Sequence, residues 1–107
     1  MLNKKPNSLS TKRCLICETD YQGRHNQMFC EYRCQRIGVK IQLRASYEVW
    51  KAVRRGDLPP AKALRCTDCG SPALEYDHRN YGKPLEVQPV CRLCNVRRGP
   101  ALFPNYT

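Results

Sequence analysis

Eight cysteines, grouped into four close pairs, constrain this 107-residue chain more than any other feature. They fall as Cys14/Cys17, Cys30/Cys34, Cys66/Cys69 and Cys91/Cys94; three pairs are spaced Cys-x-x-Cys and one Cys-x-x-x-Cys. An even count permits disulfides. The close pairing argues otherwise, because such spacing brings both thiolates to one tetrahedral zinc, whereas secreted disulfide frameworks spread their cysteines more widely. A chain this short also has little apolar surface to bury and usually needs staples. Aromatic residues make up only 8% and mean hydropathy is −0.66, so the need is acute here. Two structural Zn2+ sites are therefore expected, one on Cys14, Cys17, Cys30 and Cys34 and one on Cys66, Cys69, Cys91 and Cys94. Thiols kept as zinc ligands imply a reducing cytoplasm.

The N-terminal run MLNKKPNSLSTKR lacks the apolar stretch of a secretory signal, and no segment approaches membrane-spanning length. A membrane partner is not expected. Net charge is +10, from 19 Lys and Arg against 9 Asp and Glu. In so short a chain this points to a polyanion, with double-stranded DNA the leading partner. The charge is unevenly placed: residues 1–56 hold 12 basic and 4 acidic side chains, residues 57–107 hold 7 and 5.

Residues 1–13 are polar, basic and aperiodic, and read as a flexible basic arm. Residues 14–34 read as a zinc finger: a knuckle, a hairpin-like excursion through Tyr21-Gln22-Gly23, then a ligand pair entering a helix. Cys-x-x-x-Cys suits that helix because positions i and i+4 share a face. The segment Met28 to Cys34 resembles the second half of a treble-clef finger, with an aromatic residue before the third ligand.

From about Arg33 to Arg55, at about 100° per residue, Ile37, Ile41, Ala45, Val49, Ala52 and Val53 fall on one face. Arg33, Arg36, Lys40, Arg44, Lys51, Arg54 and Arg55 cluster on another and are candidate contacts to a nucleic-acid backbone. Gly38 weakens this helix locally, Ser46 could cap a separate second helix, and Gly56 with Pro59-Pro60 ends it. The helix and linker are assigned to residues 35–58. Trp50 is read as an anchor against the neighbouring module rather than a base-stacking platform.

Residues 59–100 form a third segment, followed by a tail, 101–107. Cys66-Thr-Asp-Cys69-Gly70 is a knuckle, Ala73–His78 a strand, Leu85–Val90 a short irregular strand, and Cys91–Arg98 a helix stopped by Gly99-Pro100. Within it, Asp77-His78 lies between the two Cys-x-x-Cys pairs, and Asn95 directly follows the second. A carboxylate and an amide can hold one metal ion, and an adjacent imidazole can deprotonate water.

Cys66-x-x-Cys69, Asp77-His78-Arg79 and Cys91-x-x-Cys94-Asn95, in that order, resemble the HNH or ββα-metal nuclease family, in its four-cysteine zinc-bearing branch. The resemblance covers about a third of the chain, and small phage-encoded proteins carry such a module. It implies a zinc-stabilised α+β protein: a treble-clef-like finger, an amphipathic helix, then a ββα-metal module. It further implies a DNA endonuclease in which Asp77 and Asn95 bind one catalytic divalent metal, Mg2+ or Mn2+, and His78 is the general base. Arg79, Lys83, Arg92, Arg97 and Arg98 surround the site as phosphate-holding candidates. Glu86 stands where the family commonly places its central Asn; it could steady His78 through Nδ1, or add a charge that repels phosphate. The alternative is a catalytically silent zinc-binding phage protein that grips nucleic acid or a host protein in the host cytoplasm.

Overall fold

The computed structural model describes residues 8–104. In chain order the elements are β1 (Ser10–Arg13), β2 (Asp20–Gly23), α1 (Tyr32–Arg55), a 3₁₀ turn (Ala61–Ala63), β3 (Glu75–His78), β4 (Val87–Val90) and α2 (Arg92–Arg98). The class is small α+β, with β1–β2 and β3–β4 as separate antiparallel pairs. The chain divides into two compact units, Met1–Lys40 with Asn105–Thr107, and Ile41–Pro104. The division falls inside α1.

In the first unit, Ser10–Arg13 are strand rather than basic arm, pairing from Ser10↔Gly23 to Arg13↔Asp20. Sequence pattern missed this strand because a lysine, not an apolar face, secures the hairpin. The Lys12 ammonium donates to the carbonyls of Arg24 (2.8 Å), His25 (2.7 Å) and Gln27, and the Tyr21 hydroxyl donates to Gln27 O at 3.0 Å. Residues 1–7 of the expected arm lie outside the described residues.

Helix α1 is one unbroken element of 24 residues, about 36 Å long at ~1.5 Å per residue. Gly38 does not break it. A Cβ at Gly38 would overlap the buried Phe29 ring, so the glycine is the point where that ring closes on the helix. Alanine is the better helix former by about 1 kcal/mol, but overpacking a filled site costs about 1–3 kcal/mol. Gly38→Ala is therefore expected to destabilise the first unit by about 1 kcal/mol, read as a lower denaturant midpoint of the zinc-loaded protein. Equal or higher stability would show that the Phe29 ring yields freely.

The helix ends where the sequence places its stop. Gly56 takes a φ of 86°, its N–H bonds Val53 O (3.1 Å), and the Asp57 N–H reaches Ala52 O (2.8 Å). These two bonds are the paired closures of a Schellman cap.

In the second unit β3 pairs with β4 from Glu75↔Val90 to His78↔Val87. The knuckle reaches β4 through Thr67, whose N–H and hydroxyl both donate to Pro89 O. Pro89 has no N–H to give the ladder, and its carbonyl is used twice. Helix α2 starts on Cys91, whose sulfur accepts from the Cys94 N–H, and stops at Gly99, φ 72°. The expected tail is partly docked: Tyr81 N–H bonds Leu102 O, and Leu102 N–H bonds Arg79 O. Residues 105–107 lie outside the described residues. Val90, Cys66 and Cys94 form a buried cluster of this unit, so the second cysteine set is part of its core.

Candidate metal centres and the Asp77–His78 strand

All eight cysteines are free, and they assemble into the two groups expected. Within each group the sulfurs lie within 4.8 Å of one another. Neighbouring pairs measure 3.6 Å (Cys17–Cys30), 3.8 Å (Cys30–Cys34) and 3.8 Å (Cys69–Cys91). A disulfide would require about 2.05 Å. Four thiolates at ~2.3 Å from a tetrahedral zinc stand about 3.8 Å apart. The sulfur cages therefore have the size of Zn2+ sites.

Both cages are built on the same turn. In the first knuckle Cys14 N–H bonds Thr19 O and Glu18 N–H bonds Cys14 O; in the second Cys66 N–H bonds Ser71 O and Gly70 N–H bonds Cys66 O. The residue after the second cysteine is left-handed in each, Gly70 at φ 79° and Glu18 at φ 61°. Glu18 thus occupies a position that favours glycine. The shared Thr19/Ser71 position, two residues past the second cysteine, was the available signal.

This turn prepares thiolates. Burial works against ionisation of Cys14 and Cys66, yet peptide N–H groups aimed at each sulfur outweigh it and bring both down to about 6. The Thr19 and Ser71 hydroxyls lower Cys17 and Cys69. Cys34 and Cys94, in the other half of each cage, behave oppositely: burial and neighbouring sulfurs push Cys34 up to about 11, and Cys91 and burial push Cys94 up to about 12. Four clustered thiolates need a cation, and zinc supplies it.

The Asp77-His78 dyad is arranged differently from a single site. Successive strand residues face opposite sides, so Glu75 and Asp77 share one face of β3 while Tyr76 and His78 share the other. Asp77, 8% exposed, is held by two arginines. Arg79 donates through Nε at 2.7 Å, Arg98 through Nη1 at 2.9 Å, and Arg98 also clamps both oxygens of Asp68 at 2.7 and 2.8 Å. Arg98 lowers the Asp68 carboxyl, while Asp68 and then Asp77 raise the guanidinium of Arg98. Asn95 lies on α2 near this face, but its amide donates to Glu75 rather than meeting Asp77.

His78, 7% exposed, lies on the opposite face, with Nε2 2.8 Å from the Pro84 carbonyl and its ring 5.3 Å from that of Tyr81. A carbonyl only accepts, so Nε2 carries the proton. Glu86 is exposed in a turn, its N–H bonded to Lys83 O, and among the described residues no hydrogen bond joins it to His78. Sequence reasoning placed Asp77 and Asn95 on one metal, with His78 as general base and Glu86 beside it. The structure distributes their polar atoms among Arg79/Arg98, Pro84, Glu75 and solvent. The two four-cysteine sets are the metal-sized clusters of Cys, His, Asp and Glu among the described residues.

The candidate cations also separate. Arg33, Arg36, Lys40, Arg44, Arg54, Arg55, Lys83, Arg92 and Arg97 are exposed, Lys51 is half-buried and paired with Glu48 at 3.3 Å, and Arg55 meets Asp57 at 3.0 Å. Arg98, 12% exposed, and Arg79 are committed to the acidic residues beneath them. Trp50 departs from its expected role as an anchor: 52% of its surface is exposed.

Among the described residues no helix is long and apolar enough to cross a membrane. Compared with protein-family models, curated proteins and solved structures, the chain matches none of them. What fold and site define is a small α+β protein with two four-cysteine zinc-binding clusters.

Proposed function

We propose that this chain is a non-nucleolytic nucleic-acid-binding protein, with two zinc clusters as scaffold and the exposed cations of α1 as its contact to phosphates. The carrying observation is the Asp77 ion-pair knot. A carboxylate shared by two guanidinium groups is already neutralised, and displacing them to admit Mg2+ or Mn2+ would cost Arg79 its carboxylate and Arg98 one of its two. His78 lies on the other strand face from Asp77, its Nε2–H given to the Pro84 carbonyl. The β3–β4–α2 order is here an HNH-like scaffold, and the N-terminal finger a treble-clef-like one, put to binding rather than cutting. The setting belongs to the same proposal: a phage-type regulator working in a reducing host cytoplasm.

Binding through α1 rests on Arg44, Arg54 and Arg55 in the second unit's part of the helix and Arg33, Arg36 and Lys40 in the first unit's part. Backbone contacts of this type position a duplex without reading its bases. Affinity for duplex DNA should fall steeply with salt, with a log–log slope of about −0.9 per phosphate neutralised. Arg44→Ala should flatten that slope by about 1. Plasmid incubated with Mg2+ or Mn2+ should stay uncut by wild type, and His78→Ala should bind duplex as wild type does. Metal-dependent cutting that disappears in His78→Ala would restore the nuclease reading, and absence of DNA binding at low salt would overturn the proposal itself.

A further inference from the structure

One face of α1 within the second unit presents flat rings where a solvent-facing helix normally presents polar side chains. Leu43, Tyr47, Trp50 and Arg54 follow one another at spacings of four, three and four residues, which places them along one side. All are exposed, Tyr47 by 54%. The Tyr47 and Trp50 rings stack on each other, centroids 5.7 Å apart and planes 17° from parallel. Each ring carries a cation: Lys51 Nζ lies 4.9 Å from the Tyr47 centroid and Arg54 Cζ lies 5.0 Å from the Trp50 centroid. The neighbouring acid, Glu48, is neutralised by Lys51.

Beside the platform is an open apolar recess of about 390 Å³. Trp50 forms one wall, Val49, Val53 and Tyr76 line it, and Lys62 and Glu75 border it, the Glu75 carboxylate accepting from the Asn95 amide.

From this arrangement we infer that Tyr47 and Trp50 are a stacking platform for the unpaired bases of single-stranded nucleic acid. Lys51, Arg54 and Lys62 hold the adjoining phosphates, and the recess takes a neighbouring base. The inference deepens the nucleic-acid reading above and rests on it. Charge complementarity selects this occupant. An apolar partner helix could cover Leu43 and the rings but would have to desolvate the cations lying over them, whereas a strand supplies π-faces for the rings and phosphates for the cations together. A duplex cannot use the platform, because its bases are already stacked on one another.

Trp50 is the single tryptophan of the chain, so its intrinsic emission reports on this ring alone. Oligo(dT) should quench that emission. Trp50→Ala should weaken oligo(dT) binding by about 10- to 100-fold, the range expected for one base–aromatic stack, while Trp50→Phe retains most of it. Duplex binding should change by no more than about 3-fold in either variant, a difference below one decade and within 1.4 kcal/mol. Zinc content measured on each variant checks that the fold survives.

Equal losses on oligo(dT) and duplex, or emission unaffected by saturating oligo(dT), would overturn the platform and leave phosphate docking standing. If neither nucleic acid binds, both readings fall. Quenching by an acidic amphipathic peptide, with oligo(dT) indifferent to Trp50→Ala, would overturn the inference by assigning the face to a protein partner.

Discussion

Removing zinc from the second cluster is expected to unfold Ile41–Pro104. One buried cluster of that unit is Val90 with Cys66 and Cys94, and half-buried Cys91 packs against it. Three of these four residues are metal ligands, so the cluster comes apart once the ion leaves. The other buried apolar residues, Ala45, Val49, Ala52, Ala73 and Ala101, are mostly small and bury little area in its place. Structural zinc contributes apparent binding free energies of about 10–16 kcal/mol near neutral pH, while whole domains are commonly stable by only about 5–15 kcal/mol. The metal term alone therefore equals or exceeds the net stability. Wild type should carry two Zn2+ per chain by native mass spectrometry. Cys94→Ser should carry one and lose amide-exchange protection across β3, β4 and α2, while the β1–β2 hairpin keeps its own. A strong chelator should abolish protection in both units, and added Zn2+ should restore it. Retention of both ions and full protection in Cys94→Ser would show that the sulfur cage is incidental to the fold.

How much of this could be read from sequence follows the range of the interactions. The cages were legible because ligand spacing is local, and α1 because its period is local: Ala45, Val49 and Ala52 are buried, as the 100° count requires. The β1 strand was illegible because Lys12 and three loop carbonyls, rather than side-chain alternation, hold it in place. Trp50, expected as an anchor, instead packs on its helix neighbours Tyr47 and Arg54. The dyad shows a different limit. Once residues 73–78 are read as strand, the period of two already separates Asp77 from His78, so that part is legible in the sequence. That Arg98, 21 residues away, would take the carboxylate, and that Glu75 would take the Asn95 amide, depends on how α2 lies over β3. Spacing alone carries no such information.

Asp77→Ala is expected to act on stability rather than on chemistry. The substitution leaves Arg98, itself 12% exposed, at the end of α2 with one acidic partner in place of two, and leaves Arg79 bonded only to the carbonyls of Arg98 and Gly99. Breaking a buried pair from one side costs about 3–5 kcal/mol. Because Asp68 still holds Arg98, the loss should lie near the lower end, about 3 kcal/mol. Asp77→Asn keeps the shape but not the charge and should recover part of it. Arg98→Ala should cost a comparable amount, since it deprives Asp77 and Asp68 of the same guanidinium. The double variant Asp77→Ala/Arg98→Ala should then be less destabilised than the two single losses added together, with a coupling of about 1–3 kcal/mol. Denaturant unfolding of the zinc-loaded variants measures all three terms. A metal-ligand role makes the opposite forecast: Asp77→Ala would fold as well as wild type, show no coupling to Arg98, and change only the binding of Mg2+ or Mn2+.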